Sequence, residues 1–326
     1  MTPLYPLVFH PLFKERVWGG RTLETLYHKR LPAGVPIGES WEISDRPGDE
    51  SVIANGAFAG RTLRWLMEHH AGELLGDAAP AAGGRFPILC KILDAREKLS
   101  LQVHPPSDAS PPLGEPKTEM WYIAAADPGA ELFVGLKHGV TRAAFEEGIR
   151  AGHVADCFHR IQVRAGDAMF LPSGRVHAIG AGLVIFEIQQ NSDTTFRVHD
   201  WDRLGLDGKP RELHIAESLA SIDFSDVEPA LAAGETATDG QFTSRALVRH
   251  ALFNVDVVRA TTKSVLTLRP PRLRIVANVE RQLVVNGGGV GAALTAGQFC
   301  LIPASVPDVT LTAQGGSTFL LVQAGN

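Results

Sequence analysis

The octapeptide Lys98-Leu99-Ser100-Leu101-Gln102-Val103-His104-Pro105 carries side chains that can do chemistry. Its period-two alternation predicts a strand, with Ser100, Gln102 and His104 on one face and Leu99, Leu101 and Val103 on the other. Pro105 and Pro106 end it, because neither can donate to a ladder. A half-exposed strand alternates in the same way, with its polar face in water. A Gln-x-His pair on one face can also grip a metal ion from a single strand. Two more residues bear on the choice. Glu119 sits near the start of the strand-like Lys117-Thr118-Glu119-Met120-Trp121-Tyr122-Ile123. His177 follows the turn Gly166-Asp167, the apolar Ala168-Met169-Phe170-Leu171 and a second turn, Pro172-Ser173-Gly174. That pattern describes a hairpin delivering a histidine to the start of a strand. Gln102, His104, Glu119 and His177 together offer two nitrogens and two oxygens to a divalent ion. Neutral imidazoles suit zinc, and a single carboxylate leaves the site net positive, as a Lewis acid requires. One strand histidine alone is ordinarily structural; four such residues bracketing two hairpins argue for a site.

The neighbouring segments must position these residues. The run Phe86 to Leu93 reads as an apolar strand that contains Lys91, which either snorkels to the strand end or binds an anion in a cavity. Gly38 to Ser44 reads as an edge strand with a packed Trp41. Residues 61–76 have helical spacing, and the adjacent His69 and His70 diverge by about 100° there, so they read as surface histidines. Residues 105–118 form a Pro-rich loop. Residues 141–158 read as helical, with Thr141 as N-cap and breaks at Gly148 and Gly152. Val184 to Gln190 is a strand carrying Glu187, and Asn191 to Asp200 brings Arg197, His199 and Asp200. Residues 202–245 are linker-like, with a short helix at 214–219. Further on, Gly297 to Asp308 repeats Gly166 to His177: the Gly and Pro spacing matches, Ser305 replaces Gly174 and Asp308 takes the place of His177.

Composition bounds the class. The 326 residues suffice for one large or two ordinary domains, and 33 Gly with 21 Pro favours β architecture. A formal net charge of −5 gives no reason to expect nucleic acid or an anionic membrane, although a local basic pocket for a phosphorylated substrate is compatible with it. The three cysteines, Cys90, Cys157 and Cys300, are scattered and outside any CxxC, which predicts a reducing compartment. No apolar run reaches membrane-spanning length, and Met1-Thr2-Pro3-Leu4-Tyr5-Pro6 lacks a signal peptide's basic start. These features predict a cytoplasmic protein.

Four segments in combination resemble the type I mannose-6-phosphate isomerases in their shorter bacterial form. They are Lys91 to Pro105, Lys117 to Tyr122, Pro172 to His177 and Gln190 to Trp201. The resemblance covers most of the chain up to about residue 220. It implies a mainly β fold of two cupin-like jelly-roll barrels with a small helical insertion, divided as 1–240 (zinc-bearing) and 241–326 (metal-free). It implies one Zn²⁺ per chain on Gln102, His104, Glu119 and His177. Arg197 matches the catalytic arginine, Lys117 a pocket lysine, and Lys91 with Ser100 the residues associated with substrate phosphate. Lys117, Glu187 and Asp200 stay open as the proton-transfer base. His199 stands where many members have Tyr, which puts substrate preference in question. The implied reaction is zinc-dependent interconversion of mannose 6-phosphate and fructose 6-phosphate through an enediolate. The alternatives are an isomerase of a related sugar, another metal-dependent cupin enzyme such as an iron oxygenase, and a non-catalytic sugar-binding cupin. The sequence leaves the oligomeric state open.

Overall fold

Alternating side chains dominate the chain, and the computed structural model is accordingly 43% strand and 13% helix. It describes residues 2–109, 112–269 and 271–325; Ser110 and Pro111 of the Pro-rich loop lie outside the described residues. The architecture is the mainly β, cupin-like one expected, with few helices.

Packing groups the chain into two compact units that interleave in sequence, where the sequence reading placed one boundary near residue 240. One unit holds Phe13–Ser40 and Ile92–Leu231; the other holds Met1–Leu12, Trp41–Lys91 and Ala232–Asn326. The reason is visible in the second unit's backbone. Leu7 and Leu301 exchange two hydrogen bonds of 2.8 Å, and the Ala304 and Ser305 amides donate to the Leu74 and Glu73 carbonyls. Early segments thus complete the pairing of late ones.

The first unit contains the residues singled out by their chemistry, Lys91 and Trp41 excepted. One sheet runs in the order Leu12–Gly20, Ile37–Ile43, Ile88–Ala95, Leu183–Gln190, Glu119–Ala126, Ala168–Leu171; the unit boundary cuts its second and third strands. Ile37–Ile43 is buried along its whole length with a strand on either side, so it is interior rather than the edge strand expected. A Trp in a short strand carries no information on which of the two it is. The other sheet runs Phe196–His199, Leu101–Val103, His177–Ile179, Glu131–Leu136, Phe158–Gln162. Trp121, Ile123, Leu132, Val134, Met169 and Ile185 form the core between the two sheets. The outer face of the second sheet presents Leu101, Val103, Phe133 and Phe196 to Phe145 of the helix Arg142–Arg150. Burying each such side chain contributes about 1.5–3 kcal/mol. With Leu101 and Val103 committed outward, the alternation turns Gln102 inward.

Thr141 caps that helix as expected, accepting from the Ala144 amide at 3.2 Å. Gly148 does not break it. It sits inside the helix where an added Cβ would meet the Val154 backbone at 3.2 Å, and the break comes at Gly152, whose φ is +76°. The 61–76 segment forms two short helices, Leu63–His69 and Ala71–Leu75, with Thr62 capping the first. No helix among the described residues is long and apolar enough to cross a membrane.

The second unit also has two sheets. One runs Thr236–Asp239, Phe242–Arg249, Phe253–Ala260, Thr318–Ala324, Arg274–Glu280, Phe299–Ile302; the other runs Ser264–Leu268, Val309–Ala313, Leu283–Gly287, Val290–Leu294. The repeat appears in the pairing itself. Leu171 pairs with Glu119, and the corresponding Ile302 pairs with Arg274. His177 pairs with Gln102, and the corresponding Asp308 holds Arg269 in an ion pair of 3.0 Å. The preceding glycines, Gly166 and Gly297, both have positive φ, +93° and +79°.

Candidate metal centre

Three strands of the second sheet line up the site. His177 lies in register with Gln102 on one side, and Arg197 lies in register with Gln102 on the other. Directly paired residues share a face, so the three side chains project together. Glu119 comes from the facing sheet, at the start of its strand. His104 follows the short strand that carries Gln102, and its carbonyl accepts from the Gly174 amide.

His104, Glu119 and His177 bring their ligand atoms within 4.8 Å of one another, all buried. Glu119 Oε2 is 3.5 Å from His104 Nε2, and Oε1 is 3.4 Å from His177 Nε2. The ring tautomers follow from the main chain. His104 Nδ1 is 2.8 Å from the Thr194 carbonyl, and His177 Nδ1 is 2.9 Å from the Arg175 carbonyl. A carbonyl only accepts, so both Nδ1 atoms carry hydrogen and both Nε2 atoms present lone pairs to the site. His104 Nε2 and Glu119 Oε1 are buried with no hydrogen-bond partner, a costly arrangement that a bound cation would relieve. Two imidazoles and a carboxylate therefore fit a divalent metal ion, and the Gln102 amide oxygen can supply a fourth donor.

Electrostatics favour the ligand protonation states. Burial, and then the charge of His104, push the His177 pKa down to about 3, so the ring is neutral near pH 7. Burial lowers His104 as well. For Glu119, burial pushes up, but the Lys117 ammonium and the two histidines outweigh it and hold the carboxyl well below its usual range. Lys117 Nζ lies 2.8 Å from Glu119 Oε2 and 3.8 Å from Glu187 Oε1. The first contact has ion-pair distance without good hydrogen-bond angles, since Glu119 Oε2 has no hydrogen bond. Burial would lower the Lys117 pKa, but the two carboxylates together raise it. Glu187 Oε2 accepts from Trp121 Nε1 at 2.9 Å.

The family model for the phosphomannose isomerase type I catalytic domain matches residues 7–119. The mannose-6-phosphate isomerase ManA of Bacillus subtilis is 40% identical over 230 residues, covering 68% of this chain and 69% of its own. The chain belongs to the type I phosphomannose isomerases. The Bacillus subtilis protein YvyI extends the likeness at 32% identity over 311 residues, 94% of this chain and 95% of that one. The crystal structure of the Bacillus subtilis mannose 6-phosphate isomerase matches with a TM-score of 0.88 at 30% identity, covering 98% of this chain and 100% of the other. This family member is thus an enzyme, an isomerase.

The remaining residues singled out from the sequence fall into place around the family's site to different degrees. Arg197 Nη1 donates to the Glu212 carbonyl at 2.7 Å, while its buried Nε hydrogen-bonds nothing. Asp200 is spoken for: Arg203 and Arg211 each donate to it at 2.7 Å. Burial pushes its pKa up, but those two guanidinium groups outweigh this and hold it below the usual range, which disfavours Asp200 as a proton acceptor. Ser100 Oγ donates to Gln102 Oε1 at 3.3 Å, beside the ligand set. Lys91 belongs to the other compact unit, where its buried ammonium lies 4.6 Å from the centre of the Trp41 ring. His199, the departure from Tyr, packs edge-on against Trp201 at 5.3 Å. Four supporting groups escaped sequence reading: the Thr194 and Arg175 carbonyls, Arg203 and Arg211. Carbonyls leave no signal in residue type. The two arginines did, as basic residues following Asp200 in a stretch that also carries Asp202 and Asp207.

Proposed function

We propose that the chain interconverts mannose 6-phosphate and fructose 6-phosphate, with one Zn²⁺ held by Gln102, His104, Glu119 and His177. The observation that carries this reading is the buried, inward-facing donor set, in which His104 Nε2 and Glu119 Oε1 lack any hydrogen-bond partner. Nitrogen donors with one carboxylate suit zinc better than the harder ions that prefer all-oxygen shells.

Aldose–ketose isomerisation moves a proton between C1 and C2 of the open-chain sugar. The intermediate is a cis-enediolate, so negative charge grows on O1 and O2. When bound, zinc supplies Lewis-acid stabilisation of that charge. Arg197, in register with Gln102, brings a guanidinium to the same face and offsets the developing charge. Lys117 and Glu187 place an ammonium and a carboxylate 3.8 Å apart beside the ligands, a pair suited to carrying the proton between the two carbons. Ser100, whose hydroxyl lies beside the ligand set, would help hold the substrate phosphate, and such anchoring would align the reacting carbons.

The test is conversion of mannose 6-phosphate to fructose 6-phosphate with and without a chelator. Loss of turnover that returns with Zn²⁺ is the expected result. Full activity after exhaustive chelation, with metal content confirmed near zero, would overturn the zinc assignment.

A further inference from the structure

Arg197 is held by a loop that folds back onto it. Its main chain exchanges two hydrogen bonds with His214: the His214 amide donates to the Arg197 carbonyl at 2.8 Å, and the Arg197 amide donates to His214 Nδ1 at 3.3 Å. Among the described residues, only the Glu212 carbonyl accepts from the guanidinium. That carbonyl therefore sets where the guanidinium sits. The Glu212 side chain is exposed and gives it no anchor. The anchor is the preceding residue. Arg211 Nε donates to Asp200 Oδ2 at 2.7 Å while its Nη2 donates to Asp200 Oδ1, a two-pronged contact with fixed geometry. Among the described residues, the hydrogen bonds of residues 204–210 stay within that span, such as Gly205 amide to Lys209 carbonyl at 2.7 Å. Asp200 is in turn fixed. It is 5% exposed, and Trp201 and Asp202 after it have φ of +58° and +54°. Residues with side chains hold such a left-handed pair only where their surroundings enforce it. Here the Trp201 indole donates to the Leu99 carbonyl at 2.7 Å and Arg203 Nη1 to the Lys98 carbonyl at 2.6 Å, which pins the turn to the chain leading into Gln102. Burial, and then the charge of Arg211, lower the Arg197 pKa, and the Asp200 carboxylate opposes them.

We propose that Asp200 and Arg211 are positioning residues for Arg197: their two-pronged contact fixes the Glu212 carbonyl, and that carbonyl aims the guanidinium. The proposal rests on the reading of Arg197 as the group that offsets the enediolate charge. It makes the 200–214 loop a brace for one side chain, anchored on the same stretch of chain that carries Gln102.

The experiment is a double-mutant cycle on the full-length, metal-loaded protein with mannose 6-phosphate as substrate. Wild type, Arg211→Met, Arg197→Ala and the double variant are compared. Arg211→Met should lower kcat about tenfold and leave KM within about twofold of wild type. In the Arg197→Ala background the same change should move kcat by less than about twofold, since no guanidinium is left to aim. Amide hydrogen exchange at Arg197 and His214 should be faster in Arg211→Met, a readout independent of turnover. An equal loss of kcat in both backgrounds would show a general structural role and overturn the proposal. A raised KM at unchanged kcat would put Arg211 on the substrate and overturn it too. So would a lowered kcat with unchanged exchange, which would mean that Arg211 acts through its charge. Wild-type kcat in Arg197→Ala alone would remove Arg197 from the reaction, a failure of the parent reading that this single variant shows separately. Should Arg211→Met fail to fold, Arg211→Lys, which keeps the charge and loses the fork, takes its place, and unchanged kcat there is the overturning result.

Discussion

Gln102 Nε2 lies 3.2 Å from His177 Nε2, directly across an antiparallel pair of strands. His177 donates from Nδ1, so its Nε2 accepts and the amide nitrogen is the donor. The Gln102 oxygen meanwhile accepts from Ser100. Coordination through Gln102 therefore needs a half-turn of its amide, which gives up both contacts. A carboxylate at this position needs no such turn and adds a negative charge. Gln102→Glu should bind Zn²⁺ roughly tenfold more tightly yet turn over at least about tenfold more slowly, because the added charge blunts the Lewis acid. Competition with a coloured chelator and steady-state kinetics check the two arms; a variant with unchanged affinity removes Gln102 from the ligand set.

Arg197→Ala should lower kcat by about 10²-fold or more, as removal of a transition-state donor does, while zinc content stays at the wild-type level. Elemental analysis beside kinetics separates the two. A variant that loses its zinc would mean that Arg197 supports the metal rather than the reaction.

Lys117 is the cation between two buried carboxylates. Lys117→Met leaves Glu119 and Glu187 facing each other without it. Chelator-treated Lys117→Met should be less stable than chelator-treated wild type by about 3 kcal/mol. Zn²⁺ should recover most of that difference, since the ion neutralises Glu119, but should not recover turnover. Denaturant unfolding with and without zinc measures the first part; equal penalties in both conditions would contradict the shared charge balance.

The depressed His177 pKa sets a pH dependence with a definite sign. The ring takes a proton at 6.5 when unfolded and at about 3 when folded, so below 6.5 the unfolded chain binds more protons. Stability of the chelator-treated protein should be fully present above pH 6.5 and fall progressively as pH drops towards 3. The melting temperature across that range tests it against His177→Phe, in which the slope should be shallower. Equal slopes would place the acid sensitivity elsewhere.

The helix packed on the outer face of the ligand-bearing sheet supplies a control. Thr141→Ala removes the oxygen that caps the Ala144 amide and should lower stability by about 1 kcal/mol with kcat/KM unchanged.

Much of this site was legible because it obeys periodicity. Alternation put Gln102 apart from Leu101 and Val103, and the structure turns them to opposite sides of the sheet; the strand covers only Leu101–Val103, however, and Leu99, expected beside Leu101, packs instead in the core between the sheets. The Gly166 to His177 hairpin and its echo at Gly297 were readable because turns constrain residue type at fixed positions. The interleaved packing was not, since nothing in residues 1–12 announces that Leu7 pairs with Leu301. Nor was Asp200, an acid near the right place whose availability depends on Arg211 folding back onto it. Gly148 misled because a glycine chosen for close approach to Val154 looks, in sequence, like one chosen to end a helix.

At Nδ1, both metal-site histidines are held by main-chain carbonyls, those of Thr194 and Arg175, rather than by a side chain. Every amino acid carries that oxygen, so replacing either residue preserves the proton on Nδ1 as long as the backbone path is kept. The ring orientations are thereby insulated from genetic drift, while Arg197, Lys117 and the Ser100 hydroxyl depend on residue identity. Divergence within this lineage should erode the choice of sugar long before it erodes the hold on the ion. For anyone retargeting the enzyme, the histidine cradle is a fixed chassis on which the surrounding pocket can be rewritten.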